Sequence, residues 1–247
     1  MRIVGFIPAR YDSSRFPGKP LANIAGKPLI QRAYECASAC PELSDVYVAT
    51  DSEKISERVQ AFGGQVIMTR KEHRCGTDRI CDAARRIGLK PDDLVVNIQG
   101  DQPVFSPEQI SLLTSPLLHD PDVAMSTLKY RIRDESEIHN PNHVKVVTDT
   151  RNDALYFSRC PIPYFRDFPS KAFYYKHLGF YAFRMGFLVE FARLPEGTLE
   201  AVERLEQLRV IEFGYKIKVV ETPHNSIEVD VPSDIRRVEA TLHGVAL

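Results

Sequence analysis

The chain has no CxxC pair: its five cysteines, Cys36, Cys40, Cys75, Cys81 and Cys160, are scattered. An odd and scattered set of this kind indicates neither a disulfide framework nor a zinc cluster, and it fits a reducing cytoplasm. Cys36 and Cys40 would share a helix face, where without neighbouring histidines they read as small core residues. Long hydrophobic runs are missing too. No apolar segment approaches the roughly 20 residues of a membrane span, and Met1-Arg2 leads straight into a strand too short for a signal peptide. Net charge is almost absent, −1 with a pI near 6.7, so neither nucleic acid nor a membrane surface has electrostatic support as a partner. No GxGxxG follows the first strand, which disfavours a dinucleotide oxidoreductase. Internal repeats, low-complexity runs and a clear linker are lacking as well.

What is present is an ordinary globular composition, 43% hydrophobic and 26% charged over 247 residues, enough for one large α/β domain or two small ones. Positive charge is concentrated locally. The apolar run Ile3 to Ile7 reads as a first strand, and behind it comes Pro8-Ala9-Arg10-Tyr11-Asp12-Ser13-Ser14-Arg15-Phe16-Pro17-Gly18-Lys19-Pro20. Three prolines forbid a regular element, Gly18 allows positive φ, and Arg10, Arg15 and Lys19 place three fixed cations on one short excursion. Small Ala9, Ser13 and Ser14 let backbone N–H groups approach a ligand, so the loop suits a polyphosphate at the carboxyl end of a strand, where open α/β sheets bind ligands. An exposed basic turn would have the same composition.

Further along, helical spacing of Leu29, Ile30, Ala33, Tyr34 and Ala37 predicts a helix opened by Gly26-Lys27-Pro28 and running to Ala39. Val46 to Thr50, a helix from Asp51-Ser52 to Gly63-Gly64, and Val66 to Met68 continue a strand–helix alternation that implies a largely parallel sheet. In His73-Arg74-Cys75-Gly76-Thr77-Asp78-Arg79 a Thr cap at Thr77 would start a helix through Ile87, with Arg79 in its first turn, unfavourable to the macrodipole unless an anion or base edge is bound. Leu94 to Ile98 has buried-strand character and leads into Gln99-Gly100-Asp101-Gln102-Pro103. That puts a carboxylate at the sheet edge, where Asp101 could reach a divalent ion on phosphate oxygens or simply form an Asx turn. Ser106-Pro107-Glu108-Gln109 reads as a capping box. A strand follows over Val123 to Tyr130, then two more, Val144 to Thr148 and Ala154 to Phe157, around a turn at Asp149 to Asn152. His139 and His143 lack a third ligand and read as solvated or backbone-bonded, and Pro161 to Phe173 has the composition of a substrate-flanking loop. Glu203 to Arg209 is an amphipathic helix with Leu205 and Leu208 inward. Ser226 to Val229 predicts a short strand closed by a second carboxylate, Asp230, before a helix begun around Pro232-Ser233.

Pro8-Ala9-Arg10, Ser14-Arg15 and Pro17-Gly18-Lys19-Pro20-Leu21 resemble the nucleotide-binding signature of the cytidylyltransferases that activate 3-deoxy-manno-octulosonate, a sugar acid of bacterial lipopolysaccharide. The resemblance spans essentially the whole chain, with six motifs in family order. It implies a three-layer α/β/α sandwich with a mixed, mostly parallel sheet of the nucleotide-diphospho-sugar transferase type. Its nucleotide-binding core would cover about 1–124 and 212–247, and a sugar-binding, dimerising insertion about 125–211. The implied activity is CTP-dependent activation of the octulosonate, with Mg²⁺ as cofactor, CTP and an acidic eight-carbon sugar as partners, and a homodimer in the cytoplasm. Implied nucleotide contacts are Pro8, Ala9, Arg10, Ser14, Lys19, Arg79, Gln99 and Gly100, with Lys19, Arg10, Asp101 and Asp230 catalytic and the two aspartates on Mg²⁺. Gln102, Arg159, His177, Tyr181 and Glu206 are the implied sugar contacts, although a lone histidine such as His177 and the charged face of the 203–209 helix have plain structural uses too. Cys75 stands where the family has serine, Gln102 where it often has glutamate, and Val231 where it has threonine. Alternative sugars are the 8-amino form of the octulosonate, to which Gly76-Thr77-Asp78-Arg79, Gln102 and Ser226-Ile227-Glu228 point within the resemblance, and a nonulosonate. A non-catalytic nucleotide-sensing subunit is the alternative of another class, against which both aspartates and Lys19 speak. A glycosyltransferase would share the strand-end aspartate without needing the Pro-Gly-Lys loop.

Overall fold

The structure is a computed structural model that describes residues 1–12, 16–167 and 173–242. Its first unit is β1 (Ile3–Ala9), the proline-rich loop, a short hairpin of β2 (Asn23–Ile24) and β3 (Lys27–Pro28), and α1 (Leu29–Ser38). Pro28 ends the hairpin and sets the helix start, and Leu29, Ile30, Ala33 and Ala37 form the buried stripe that the spacing predicted. The alternation continues through β4 (Asp45–Thr50), α2 (Glu53–Ala61), β5 (Gln65–Met68), α3 (Gly76–Arg86), β6 (Leu94–Asn97) and α4 (Pro107–His119). At α4, Ser106 N donates to Gln109 Oε1 at 3.0 Å, as expected of the reaching-back arm of a capping box. The remainder is β7 (Met125–Arg131), β8 (Lys145–Thr148), β9 (Ala154–Ser158), β10 (Tyr175–Arg184), α5 (Met185–Phe191), α6 (Thr198–Glu203), α7 (Gln207–Glu212), β11 (Lys218–Glu221) and α8 (Asp234–Leu242).

The main sheet has the order β11-β7-β10-β6-β1-β4-β5, with β8 and β9 branching from β10. It is mixed and mostly parallel: only the two pairings made by β10, to β6 and to β7, run antiparallel along that path. Alternating side chains feed two cores. Val4, Phe6, Val95, Tyr181 and Phe183 face α3, α5 and α7, whereas Ile7, Val96, Ile98, Phe180 and Ala182 face α1, α2 and α4. The result is a three-layer sandwich whose central strands are apolar on both faces, as a sheet covered by helices on either side requires.

Three expectations change. The cap of α3 is Cys75, whose Sγ accepts from Asp78 N at 3.5 Å, because the Thr77 hydroxyl is drawn away to Glu206. The continuous helix over Glu203 to Arg209 is broken: Arg204 takes a left-handed conformation at φ 55°, ending α6 and letting α7 restart at Gln207, while Leu205 and Leu208 stay buried. Ser226 to Val229 is no sheet strand. It is an irregular segment tied to the loop after β6 by the backbone bond from Val229 N to Asp101 O at 2.9 Å.

Candidate active site

The proline-rich loop folds back on itself. Gly18, at φ 71°, donates its N–H to Tyr11 O at 3.0 Å, and this closure delivers Lys19 to the mouth of the sheet. Lys19 Nζ there donates to Asp101 Oδ2 at 2.9 Å and to Val229 O at 2.9 Å, with Asp230 Oδ1 at 3.8 Å. Residues far apart in the chain thus converge on one ammonium. Asp101 arrives on the loop after β6, whereas Asp230 is carried by the docked segment rather than by a sheet strand. Gly100 makes this approach possible, since a Cβ there would lie 3.0 Å from Pro8 O and 3.4 Å from Ile7 Cγ2.

The remaining nucleotide candidates divide. Ala9 is buried at the end of β1 and Pro8 lies half-buried beside Gly100. Ser14 lies outside the described residues. Arg10 is exposed, with its guanidinium on His73 O, beside an open cavity that Asp51, Lys54 and Lys71 also line. Gln99 Nε2 donates to Gly179 O at 2.6 Å, which locks its side chain against β10. Arg79 is fully buried: Nη1 donates to Thr69 Oγ1 at 2.6 Å and Nη2 to Asp51 Oδ2 at 2.9 Å, so the guanidinium clips the ends of β4 and β5 together. The expected first-turn position is correct, but the charge is answered from inside the protein.

On the sugar side, Arg159 donates to backbone carbonyls of Glu203 at 2.7 Å and Pro141 at 2.8 Å, and its own N–H is held by Glu203 Oε2 at 3.0 Å. Its visible work is to tie the strand end to neighbouring loops. Glu206 accepts from Thr77 Oγ1 at 2.6 Å, and burial raises its pKa. His177 packs between Phe157 and Tyr181, with Nε2 2.8 Å from Thr127 Oγ1, and burial pushes its pKa down to about 3. It is therefore a neutral ring at neutral pH. Tyr181 is buried in the core alongside it.

His177 nevertheless borders a polar cavity of about 370 Å³ that reaches Asp230, with Lys176, His143, Ser226, Glu228 and Arg237 also on its wall. Lys176 is held by both oxygens of Glu137, at 2.7 and 2.8 Å. Gln102 is fully buried, and its Nε2 donates to Glu228 Oε1 at 2.9 Å. The Glu228 carboxyl is pushed up, to about 7, by local desolvation and by the nearby charge of Asp101. The sequence already set Ser226-Ile227-Glu228 and the stretch around Lys176 at the sugar end, and the structure puts Ser226, Glu228 and Lys176 on the wall of one cavity.

Among the described residues no group of three or more His, Cys, Asp and Glu side chains could hold a metal. The pair Asp101 and Asp230 does fit a hard divalent ion that takes few protein ligands, because two carboxylates already converge on a single cation, the Lys19 ammonium.

The cytidylyltransferase family model matches residues 4–217. The chain belongs to the cytidylyltransferase family. A relative cytidylyltransferase, the 3-deoxy-manno-octulosonate cytidylyltransferase of Syntrophus aciditrophicus, is 55% identical and covers 99% of this chain and 99% of its own. The 8-amino-3,8-dideoxy-manno-octulosonate cytidylyltransferase of Shewanella halifaxensis is 53% identical, over 98% of this chain and 99% of its own. A solved CMP:2-keto-3-deoxy-manno-octonic acid synthetase complexed with CTP is 42% identical, superposes with a TM-score of 0.92 and covers 100% of both chains. As a cytidylyltransferase the chain is a nucleotidyltransferase, and its sandwich is the fold of that solved relative.

Proposed function

We propose that this chain transfers CMP from CTP to a 3-deoxy-octulosonate, with 3-deoxy-manno-octulosonate as the parent substrate. The anomeric hydroxyl oxygen attacks the α-phosphorus in line and gives its proton to solvent water, the bond from that phosphorus to the bridging oxygen breaks, and pyrophosphate leaves. The observation that carries this reading is the meeting of Lys19, Asp101 and Asp230 beside the proline-rich loop. Lys19 would leave its carboxylate partners for phosphate oxygens when the triphosphate arrives, and Arg10 would meet the phosphate tail from the exposed side. Gly100 keeps the space between the two loops narrow, and Gln99 fixes the backbone next to Asp101. Positioning supplies most of the catalysis, and no side-chain base is needed. Asp101 and Asp230 would hold Mg²⁺, which when bound polarises phosphate and hydroxyl oxygens as a Lewis acid.

With this reading go a cytoplasmic location, where CTP is at hand, a place in lipopolysaccharide biosynthesis, and a homodimer. The dimer is supported by exposed apolar side chains outside the nucleotide end, Leu155, Tyr164 and Val202. The deciding experiment is a pyrophosphate-release assay with CTP, Mg²⁺ and a panel of sugar acids. Release that requires both CTP and an octulosonate is the expected result. CTP binding without release from any sugar acid would instead make the chain a nucleotide-sensing subunit.

A further inference from the structure

The last helix, α8, starts where the reacting groups meet. Asp234 Oδ2 accepts from the backbone N–H groups of Asp230 at 2.8 Å and Val231 at 2.9 Å, which ties the helix start to the segment that carries Asp230. Val238 is buried in a cluster with Ile24, Leu29 and Val229, and Glu239 Oε1 accepts from Ala25 N at 2.9 Å. One face of α8 is thereby pinned to the β2–β3 hairpin. Arg237, one turn beyond Asp234, lies with it on the wall of the 370 Å³ cavity that reaches Asp230.

The other ionisable groups on that wall are engaged or neutral. Lys176 is held by both oxygens of Glu137, Asp230 faces Lys19, and Glu228 accepts from Gln102 Nε2 at 2.9 Å. Burial and the charge of Lys176 lower the pKa of His143, which lies 3.9 Å from Glu137, and burial does the same for His177, so both rings are neutral at neutral pH. Arg237 differs from all of these. Among the described residues its guanidinium has no hydrogen-bond or ion-pair partner. The nearby carboxylate of Asp134 is turned to Ser136 N at 2.9 Å.

A 3-deoxy-octulosonate carries its carboxylate on the anomeric carbon, next to the hydroxyl that attacks phosphorus. That anion must therefore sit at the Asp230 end of the cavity, where Asp230 and Glu228 repel it. A cation has to answer it. Arg159, the arginine expected at the sugar, donates instead to the carbonyls of Glu203 and Pro141 and is not on this wall. Lys176 could respond only by leaving Glu137. Arg237 has no partner to leave, and its planar fork matches a carboxylate through two parallel hydrogen bonds.

We propose that Arg237 binds the carboxylate of the sugar acid and is the residue by which the site selects an acidic sugar. This rests on the transfer reaction proposed above and adds to it the group that reads the acid.

The test uses two octulosonates that cannot react because hydrogen replaces the anomeric hydroxyl, one with its free carboxylate and one as the carboxamide. Their inhibition constants are measured with CTP and Mg²⁺ in the wild type, Arg237→Gln and Arg237→Lys, together with the KM for each substrate and the Tm. The wild type should bind the carboxylate roughly ten- to a hundredfold more tightly than the carboxamide. Arg237→Gln should bring that ratio to within about threefold of one and raise the KM for the sugar acid about tenfold or more, with the KM for CTP and the Tm unmoved. Arg237→Lys, which keeps the charge and loses the fork, should recover part of the preference. Equal weakening of both analogues in Arg237→Gln overturns the assignment, because it marks a structural arginine. A carboxylate preference that survives in Arg237→Gln also overturns it, since the acid is then held by Mg²⁺ or by Arg159. Both of those outcomes leave the transfer reaction standing. Pyrophosphate release from no sugar acid in the wild type overturns the transfer reaction and the assignment with it.

Discussion

The two ends of the site are built in opposite ways. At the nucleotide end, charged groups hold one another: Lys19 neutralises Asp101 and Asp230 across gaps of 2.9 and 3.8 Å, in side chains that remain 17 to 29% exposed. At the sugar end, the groups expected to bind are held by the scaffold. Arg159 is on backbone carbonyls, Glu206 on Thr77, and His177 in an aromatic and hydroxyl cage. The first arrangement can exchange partners at little desolvation cost when an anion arrives, whereas the second is rigid and offers a shaped wall. Differential binding in a transition state needs both, a movable charge where charge develops and a fixed frame where the substrate must be held still.

The sharpest break of this contrast is at the carboxylates. Asp101→Asn and Asp230→Asn should each abolish pyrophosphate release without unfolding the chain, and the double variant should be scarcely worse than either single. Additive losses in kcat/KM, measured across a Mg²⁺ titration, would show that the two do not act as one unit. Next in size is Lys19→Ala, expected to cost about 2.7–4 kcal/mol in transition-state stabilisation, a hundredfold or more in kcat/KM for CTP. A rate near wild type would remove the movable charge from the mechanism.

Arg79→Met probes the border between the two behaviours. Breaking a buried ion pair from one side costs about 3–5 kcal/mol, so the variant should melt well below wild type while its folded fraction keeps its KM for CTP. An unchanged Tm with a raised KM would return Arg79 to the nucleotide. A smaller effect, dependent on pH, is expected at His177. The unfolded chain takes up this proton near pH 6.5, and the folded protein refuses it until about pH 3. The unfolded state therefore binds more protons throughout that window, and the contribution of this residue to stability falls as the pH drops through it. His177→Gln lacks that liability, so the Tm gap between variant and wild type should move in the variant's favour from pH 7 to pH 4. A gap independent of pH would mean that the ring titrates normally. Least of all, Cys75→Ser exchanges a weak sulfur cap at 3.5 Å for a hydroxyl, and a gain of up to about 1 kcal/mol in thermal stability is expected.

The nucleotide end was legible in the sequence because its parts are local. Prolines, Gly18 and a lysine define a loop by their own chemistry, and an apolar run followed by Gly100-Asp101 announces a strand-end carboxylate wherever the strand lies in the sheet. The alternation of elements and the two-faced burial of β1 and β6 were legible for the same reason. What stayed hidden depends on partners distant in sequence. The fate of Arg79 is decided by Asp51 and Thr69 on other strands, the cap of α3 by the pull of Glu206 on Thr77, and the break at Arg204 by a turn that amphipathic spacing does not reveal. The hydrogen bond from Gln102 to Glu228 joins residues 126 positions apart, a pairing that no local pattern displays.

The backbone bond from Val229 to Asp101, with Lys19 donating to Val229 O, makes the last stretch of the chain a structural part of the first. A ribosome has made the first loop and the entire β1-to-β6 half of the sheet long before it reaches position 229. An unfinished chain therefore carries Lys19 and Asp101 without the segment that brings Asp230 to them. The meeting of Lys19, Asp101 and Asp230 has no earlier or partial form, so a chain that ended before Val229 would keep β1 to β11 and lack that meeting altogether.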